Sequence, residues 1–130
     1  MESPEAVAHA FVEAINRHSP PGIAALMTED HLFIDSLGNA MQGREKMRSA
    51  WVAYFALVPD YRIALSETYR SGDIVVMLGI VGGATRGQAW QTPAALRAEI
   101  RVSQVAAWRV YADNEPIRRV LAATQNEPGV

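Results

Sequence analysis

Apolar residues along this chain fall into two rhythms, helical spacing in the first half and strand alternation in the second. Ser3 is a good helix N-cap and Pro4 suits a first turn. Ala6, Val7, Ala10, Phe11, Ala14 and Ile15 then recur at helical spacing, predicting a helix from about Pro4 to Arg17. Ser19-Pro20-Pro21-Gly22 breaks it, and a short helix of roughly Gly22 to Met27 presents Ile23, Leu26 and Met27. Thr28-Glu29-Asp30 reads as a turn, and His31 to Ser36 as a strand closed by Leu37-Gly38-Asn39. A short return strand reaches Gln42. From Gly43 to Leu57, Met47, Ala50, Trp51, Tyr54 and Phe55 make one broad helical stripe, stopped by Val58-Pro59-Asp60.

Beyond that point the period becomes two. Tyr61, Ile63 and Leu65 alternate with Arg62, Ala64 and Ser66. Ser71-Gly72-Asp73 is a turn, Ile74 to Val81 is a continuous apolar strand, and Gly82-Gly83 marks a bulge or bend. Thr85 to Pro93 reads as a loop carrying Trp90. Leu96, Ala98 and Ile100 alternate with Arg97, Glu99 and Arg101, and Val102-Ser103-Gln104 is a weak turn. Val105 to Ala112 is the last long strand, with Trp108 and Val110 opposite Arg109 and Tyr111 across the pleat. Helices first and antiparallel strands afterwards predict an α+β domain, with helices on one face of a curved sheet. The charged row Arg97, Glu99, Arg101 and Arg109 then lies on the outer face, as a solvated surface or a dimer interface.

Length and composition narrow the class. The chain has 130 residues, enough for one cored domain; residues 1–123 are read as that domain and 124–130 as a fraying tail. A net charge of −2, with twelve scattered basic residues, gives no field for nucleic acid or an anionic membrane. Without cysteine there is no disulfide and no thiolate chemistry. No apolar run approaches the ~20 residues of a membrane span, and the acidic start Met1-Glu2-Ser3-Pro4-Glu5 lacks a signal-peptide pattern, so a cytoplasmic location is expected. His9, Glu13 and His18 do not make a zinc-binding HExxH, and no phosphate-cradling glycine loop or GxSxG elbow occurs, so neither metal nor cofactor is expected.

Three stretches together resemble the SnoaL-like, nuclear transport factor 2-like group: Phe33-Ile34-Asp35-Ser36-Leu37-Gly38 with Gly43 and the Trp51/Tyr54 helix; Pro59-Asp60-Tyr61 leading into Ser71-Gly72-Asp73-Ile74-Val75-Val76; and Val105 to Pro116. The resemblance implies a cone-shaped curved antiparallel sheet packed against three helices, a pocket in its mouth, and a homodimer. The group includes ketosteroid isomerases, polyketide cyclases, epoxide hydrolases and dehydratases, so it assigns no single chemistry.

Asp35 is the leading catalytic candidate. In the isomerases that this segment resembles, the matching position carries the general-base aspartate. Apolar walls disfavour the charged form of a carboxylate and bring it into working range as a base. The alternative is that Asp35 accepts hydrogen bonds from turn amides around Leu37-Gly38. The isomerase comparison breaks at two positions. Its oxyanion hole uses a tyrosine and a protonated aspartic acid, whereas the same register places Phe11 and Leu96 here, and neither can donate a hydrogen bond. Trp51 and Tyr54 are candidate replacements, Trp108 shares the inward parity, and Trp90 is a candidate lid; each is alternatively plain packing. Glu67 shares strand parity with Tyr61 and Leu65, so it either joins Asp35 in the pocket or leaves the core with the strand end. His31 is either a proton relay or a strand-end residue. The Arg97-Ala98-Glu99 triplet has outward parity, which argues against an epoxide-hydrolase arrangement.

The expected function is a pocket for a small hydrophobic molecule with Asp35 as the acid/base of an isomerase, cyclase or dehydratase. The alternative is a non-catalytic ligand-binding or dimeric scaffold domain.

Overall fold

The computed structural model describes residues 2–125. Helices α1 (Pro4–Asn16) and α2 (Pro20–Ala25) lead into strands β1 (Met27–Ile34) and β2 (Ala40–Gln42). Helix α3 (Arg44–Leu57) follows, and then β3 (Arg62–Ser71), β4 (Ile74–Thr85), β5 (Gln88–Arg101), β6 (Gln104–Ala112) and α4 (Glu115–Gln125). The strands form one six-stranded sheet in the order β2-β1-β6-β5-β4-β3. All neighbours are antiparallel except β1 and β6, which run parallel and join the two halves of the chain.

Local chemistry explains the elements. The Ser3 side chain caps α1 by accepting from the Ala6 amide, and Pro4 opens the helix. The stripe Val7, Phe11, Ala14 and Ile15 is fully buried. It meets the inner face of the sheet, whose buried positions alternate along β5 at Thr92, Ala94, Leu96, Ala98 and Ile100. Phe11 and Trp108 lie at the centre of this core, ring centroids 4.8 Å apart. Complete burial of side chains of this size is worth about 1.5–3 kcal/mol each.

Edge strand β3 is covered rather than left open. Asn16 imitates a strand neighbour: its Nδ2 donates to the Ile63 carbonyl at 2.9 Å and its Oδ1 accepts from the Ile63 amide at 2.8 Å. His18 meets the Tyr61 carbonyl at 2.7 Å, His9 meets Thr68 at 2.9 Å, and Arg70 pairs with Glu5 at 3.2 Å. Helix α1 thus blocks the edge against pairing with another chain.

Four sequence expectations are corrected. Thr28-Glu29-Asp30 is not a turn but the first half of β1: Thr28 is buried while Glu29 and Asp30 are exposed, so the polar run is a strand with its charges outside. Thr85–Pro93 is not a loop. Strands β4 and β5 continue to a tight turn at Arg86-Gly87, both with positive φ, so Trp90 sits on a strand. Pro93 is tolerated inside β5 because β6 pairing begins only at Ala94. No register shift occurs at Gly82-Gly83; the irregularity lies in β3 between Leu65 and Glu67, opposite Leu78 and Gly79. Gly83 instead allows close packing, since a Cβ there would collide with Val58 at the end of α3. Finally, among the described residues a fourth helix, α4, joins the three expected. Thr124 and Gln125 of the expected tail close α4, and residues 126–130 lie outside the described residues.

On the outer sheet face, Arg97 pairs with Glu99 at 3.3 Å and stands across from Arg109, whose guanidinium lies 4.8 Å over the Tyr111 ring. Among the described residues no helix is long and apolar enough to cross a membrane.

Candidate functional site

Between α3 and the inner sheet face lies a cavity of about 410 Å³, within the range of small-molecule sites. Helix α3 contributes Met47, Trp51, Tyr54 and Leu57; the segment after it adds Val58 and Tyr61. From the sheet come Phe33, Val81, Trp90, Thr92, Trp108, Val110 and Ala112, and Asp35, Ser36, Leu37, Asp113 and Asn114 add a mostly polar stretch. The walls carry a chain of ring contacts. Trp51 meets Phe55 at 5.3 Å and Tyr54 at 6.0 Å, Tyr54 meets Tyr61 edge-on at 5.0 Å, and Tyr61 meets Trp90 at 6.4 Å. Phe55 is in turn stacked 4.2 Å from the His18 ring. The helical spacing of α3 and the alternation of β5 thus bring their aromatic residues into one wall.

Asp35 follows β1 directly and is half-buried on the lining. Its Oδ1 accepts from the backbone amides of Leu37 and Asn39, each at 2.9 Å, and its Oδ2 accepts from Asn39 Nδ2 at 3.3 Å. The carboxylate organises its own turn, and the residue lies on the cavity lining. Ser36 donates to Asn114, tying that turn to the start of α4, and Asp113 accepts from the Glu115 amide at 3.0 Å.

Two phenols stand out. Tyr54 is held un-ionised by burial, its pKa pushed up to about 12. Burial, reinforced by repulsion from Tyr54, raises that of Tyr61 further still. Both therefore remain hydrogen-bond donors at neutral pH. Trp90 donates its indole N–H to Thr85 at 3.2 Å, whereas the Trp51 indole nitrogen is buried without a partner.

The other sequence candidates lie elsewhere. Phe11 and Leu96 are buried behind the cavity wall, against Trp108 and beside Val110. Glu67 is away from the cavity: the bulge after Leu65 reverses the strand's facing, so Thr68 turns inward to His9 and exposed Glu67 accepts from Tyr69 at 2.9 Å. His31 is neither a strand-end residue nor at the cavity. It is fully buried in β1, Nδ1 lies 2.7 Å from the Val105 carbonyl, Nε2 has no partner, and burial lowers its pKa from 6.5. Among the described residues no cluster of three or more acidic or histidine side chains could hold a metal.

Sequence pattern does not single out Tyr61, Thr92, Asp113 or Asn114. For Tyr61 a signal exists, since it begins the inward parity of Ile63 and Leu65 just after the helix stop. Asn114-Glu115-Pro116 likewise carries a helix-start signature that announces α4.

The architecture is thus a six-stranded sheet packed against helices, with an aromatic-lined cavity between α3 and the sheet. The sequence matches the model of the SnoaL-like domain over residues 8–119, and the chain belongs to that family. Solved structures share the fold. A hypothetical protein with a ketosteroid isomerase-like fold from Catenulispora acidiphila, in complex with trimethylamine, is 22% identical with a TM-score of 0.80, covering 89% of this chain and 91% of that one. A candidate SnoaL-like polyketide cyclase from Shewanella putrefaciens is 17% identical with a TM-score of 0.81, over 95% and 88%. A candidate polyketide cyclase from Streptomyces antibioticus is 16% identical with a TM-score of 0.78, over 93% and 99%. No functionally curated protein matches the chain.

Proposed function

We propose that this chain binds a flat hydrophobic small molecule and acts on it by cofactor-independent acid/base chemistry, as an isomerase, cyclase or dehydratase with Asp35 as the base. The observation that carries the reading is the aromatic cavity of about 410 Å³ with Asp35 on its lining. Family membership and the fold shared with candidate polyketide cyclases support the same class. A proton moved at a carbon next to a carbonyl needs a base within reach of the ligand. In a screen of enones and polyketide-like ketones, a turned-over compound should lose about 10²–10⁴-fold in rate with Asp35→Asn while its binding persists. Turnover that survives the substitution overturns the assignment.

A second reading, ligand binding without catalysis, is favoured by one observation: all three hydrogen bonds to the Asp35 carboxylate come from its own turn. It predicts that tight-binding compounds leave the protein unchanged.

We further propose a homodimer through the outer sheet face, which carries Ile80 and Tyr111, 45% and 46% exposed, and the Arg97–Glu99 pair. Light scattering at micromolar concentration should give twice the chain mass of 14.2 kDa; a monomer overturns it.

A further inference from the structure

The aromatic cavity carries charge of one sign only. Among the described residues no lysine, arginine or histidine lines it, and its charged residues are the carboxylates Asp35 and Asp113. The hydrogen bond from Ser36 to Asn114 ties their two segments together, so both carboxylates belong to the same end of the cavity. Asp35 accepts from Leu37 and Asn39, and Asp113 from the Glu115 amide, all uncharged donors. None of the four ion pairs among the described residues involves either carboxylate. The walls add to the same bias. The rings of Trp51 and Tyr54 stand at 85° to each other, and those of Tyr54 and Tyr61 at 80°. Aromatic faces carry partial negative charge, and rings set at right angles turn their faces in different directions, as the walls of a cage around a cation do. An anion would meet repulsion from carboxylates and ring faces alike; a cation would be attracted by both.

We propose that the cavity selects a hydrophobic molecule carrying a cationic amine. The ring walls take the hydrocarbon body and one side of the ammonium group, and Asp35 and Asp113 supply its counter-charge. The inference rests on the pocket reading above and names the charge class of its ligand: protonated amines, in preference to uncharged rings of the same shape and against carboxylates and phosphates. It needs no proton transfer, so it holds for a binding protein as for an enzyme. Asp113, which the sequence pattern does not single out, thereby gains a role in specificity that is separate from that of Asp35 as a base.

Calorimetric titration at neutral pH with three bicyclic probes of one shape tests it: tetrahydroisoquinoline, which is protonated there, its uncharged oxygen counterpart isochroman, and the hydrocarbon tetralin. The wild-type protein should bind the amine about tenfold more tightly than either uncharged probe, and that preference should shrink as salt is raised. Asp113→Asn should lower the preference severalfold while binding tetralin as before. Its melting temperature should be unchanged, since asparagine keeps an oxygen for the Glu115 amide. Asp35→Asn should lower the preference likewise. Equal binding of amine and tetralin by the wild type overturns the cation selectivity but leaves the pocket standing. So does isochroman binding as tightly as the amine, a preference indifferent to salt, or full retention of the preference when both aspartates are replaced by asparagine. Failure of all three probes to bind the wild type overturns the pocket reading and the cation selectivity together.

Discussion

The inner end of the cone and its mouth are built from the same kinds of residue and differ in what is left unfilled. At the inner end Phe11, His31, Leu96 and Trp108 are packed to at most 1% exposure. At the mouth Trp90, Tyr54 and Tyr61 line a cavity. Aromatic content alone therefore does not make a site. The inner end spends its rings on cohesion, the mouth on the walls of a cavity.

Truncation should break the contrast most sharply. Phe11→Ala, at the centre of the packed end, should lose about 3–5 kcal/mol of stability in chemical denaturation. At the mouth, Tyr54→Phe should stay within about 0.5 kcal/mol of wild type. If Phe11→Ala is nearly neutral, the inner end is not the solid core described above.

Protonation gives an intermediate effect. Burial lowers the pKa of His31 below its ordinary 6.5, so the folded state holds the ring neutral where the unfolded chain would take up a proton. Its stabilising contribution is complete above pH 6.5. As pH falls below that value, stability drops by up to about 1.4 kcal/mol per unit, until the lowered folded-state pKa is reached. Denaturation midpoints measured from pH 7.5 to 5.5, with the His31 ring nitrogens followed by NMR, check this. A His31 ring that titrates at its ordinary value in the folded protein excludes it.

Much of the fold is legible in the sequence, because one-sided burial writes itself as a period. The stripes of α1 and α3 and the alternation of β5 beyond Leu96 mark the elements that face the core. The failures have a common physical form: local composition pointed one way and tertiary pairing the other. Thr28-Glu29-Asp30 looks like a turn until pairing turns its charges outward, and Thr85–Pro93 looks like a loop until β4 extends to meet it. Glu67 is misplaced because parity counting assumes an unbroken strand, and a bulge resets the count. At the site, Asp35, Trp51, Tyr54, Trp90 and Trp108 are legible as neighbours of one cavity. Tyr61 is not singled out, because it reaches the cavity through the path of the chain after α3, which sets its ring against Tyr54.

The parallel seam between β1 and β6 has a consequence for assembly in time. Strand β6 is wedged between β1 and β5, so a nascent chain that ends before Gln104 holds two raw strand edges with no partner for either. Such edges are templates for aggregation. The long-range closure that removes them comes only when β6 has been synthesised, so both the speed of folding and the hazard to the newborn chain are set by that strand.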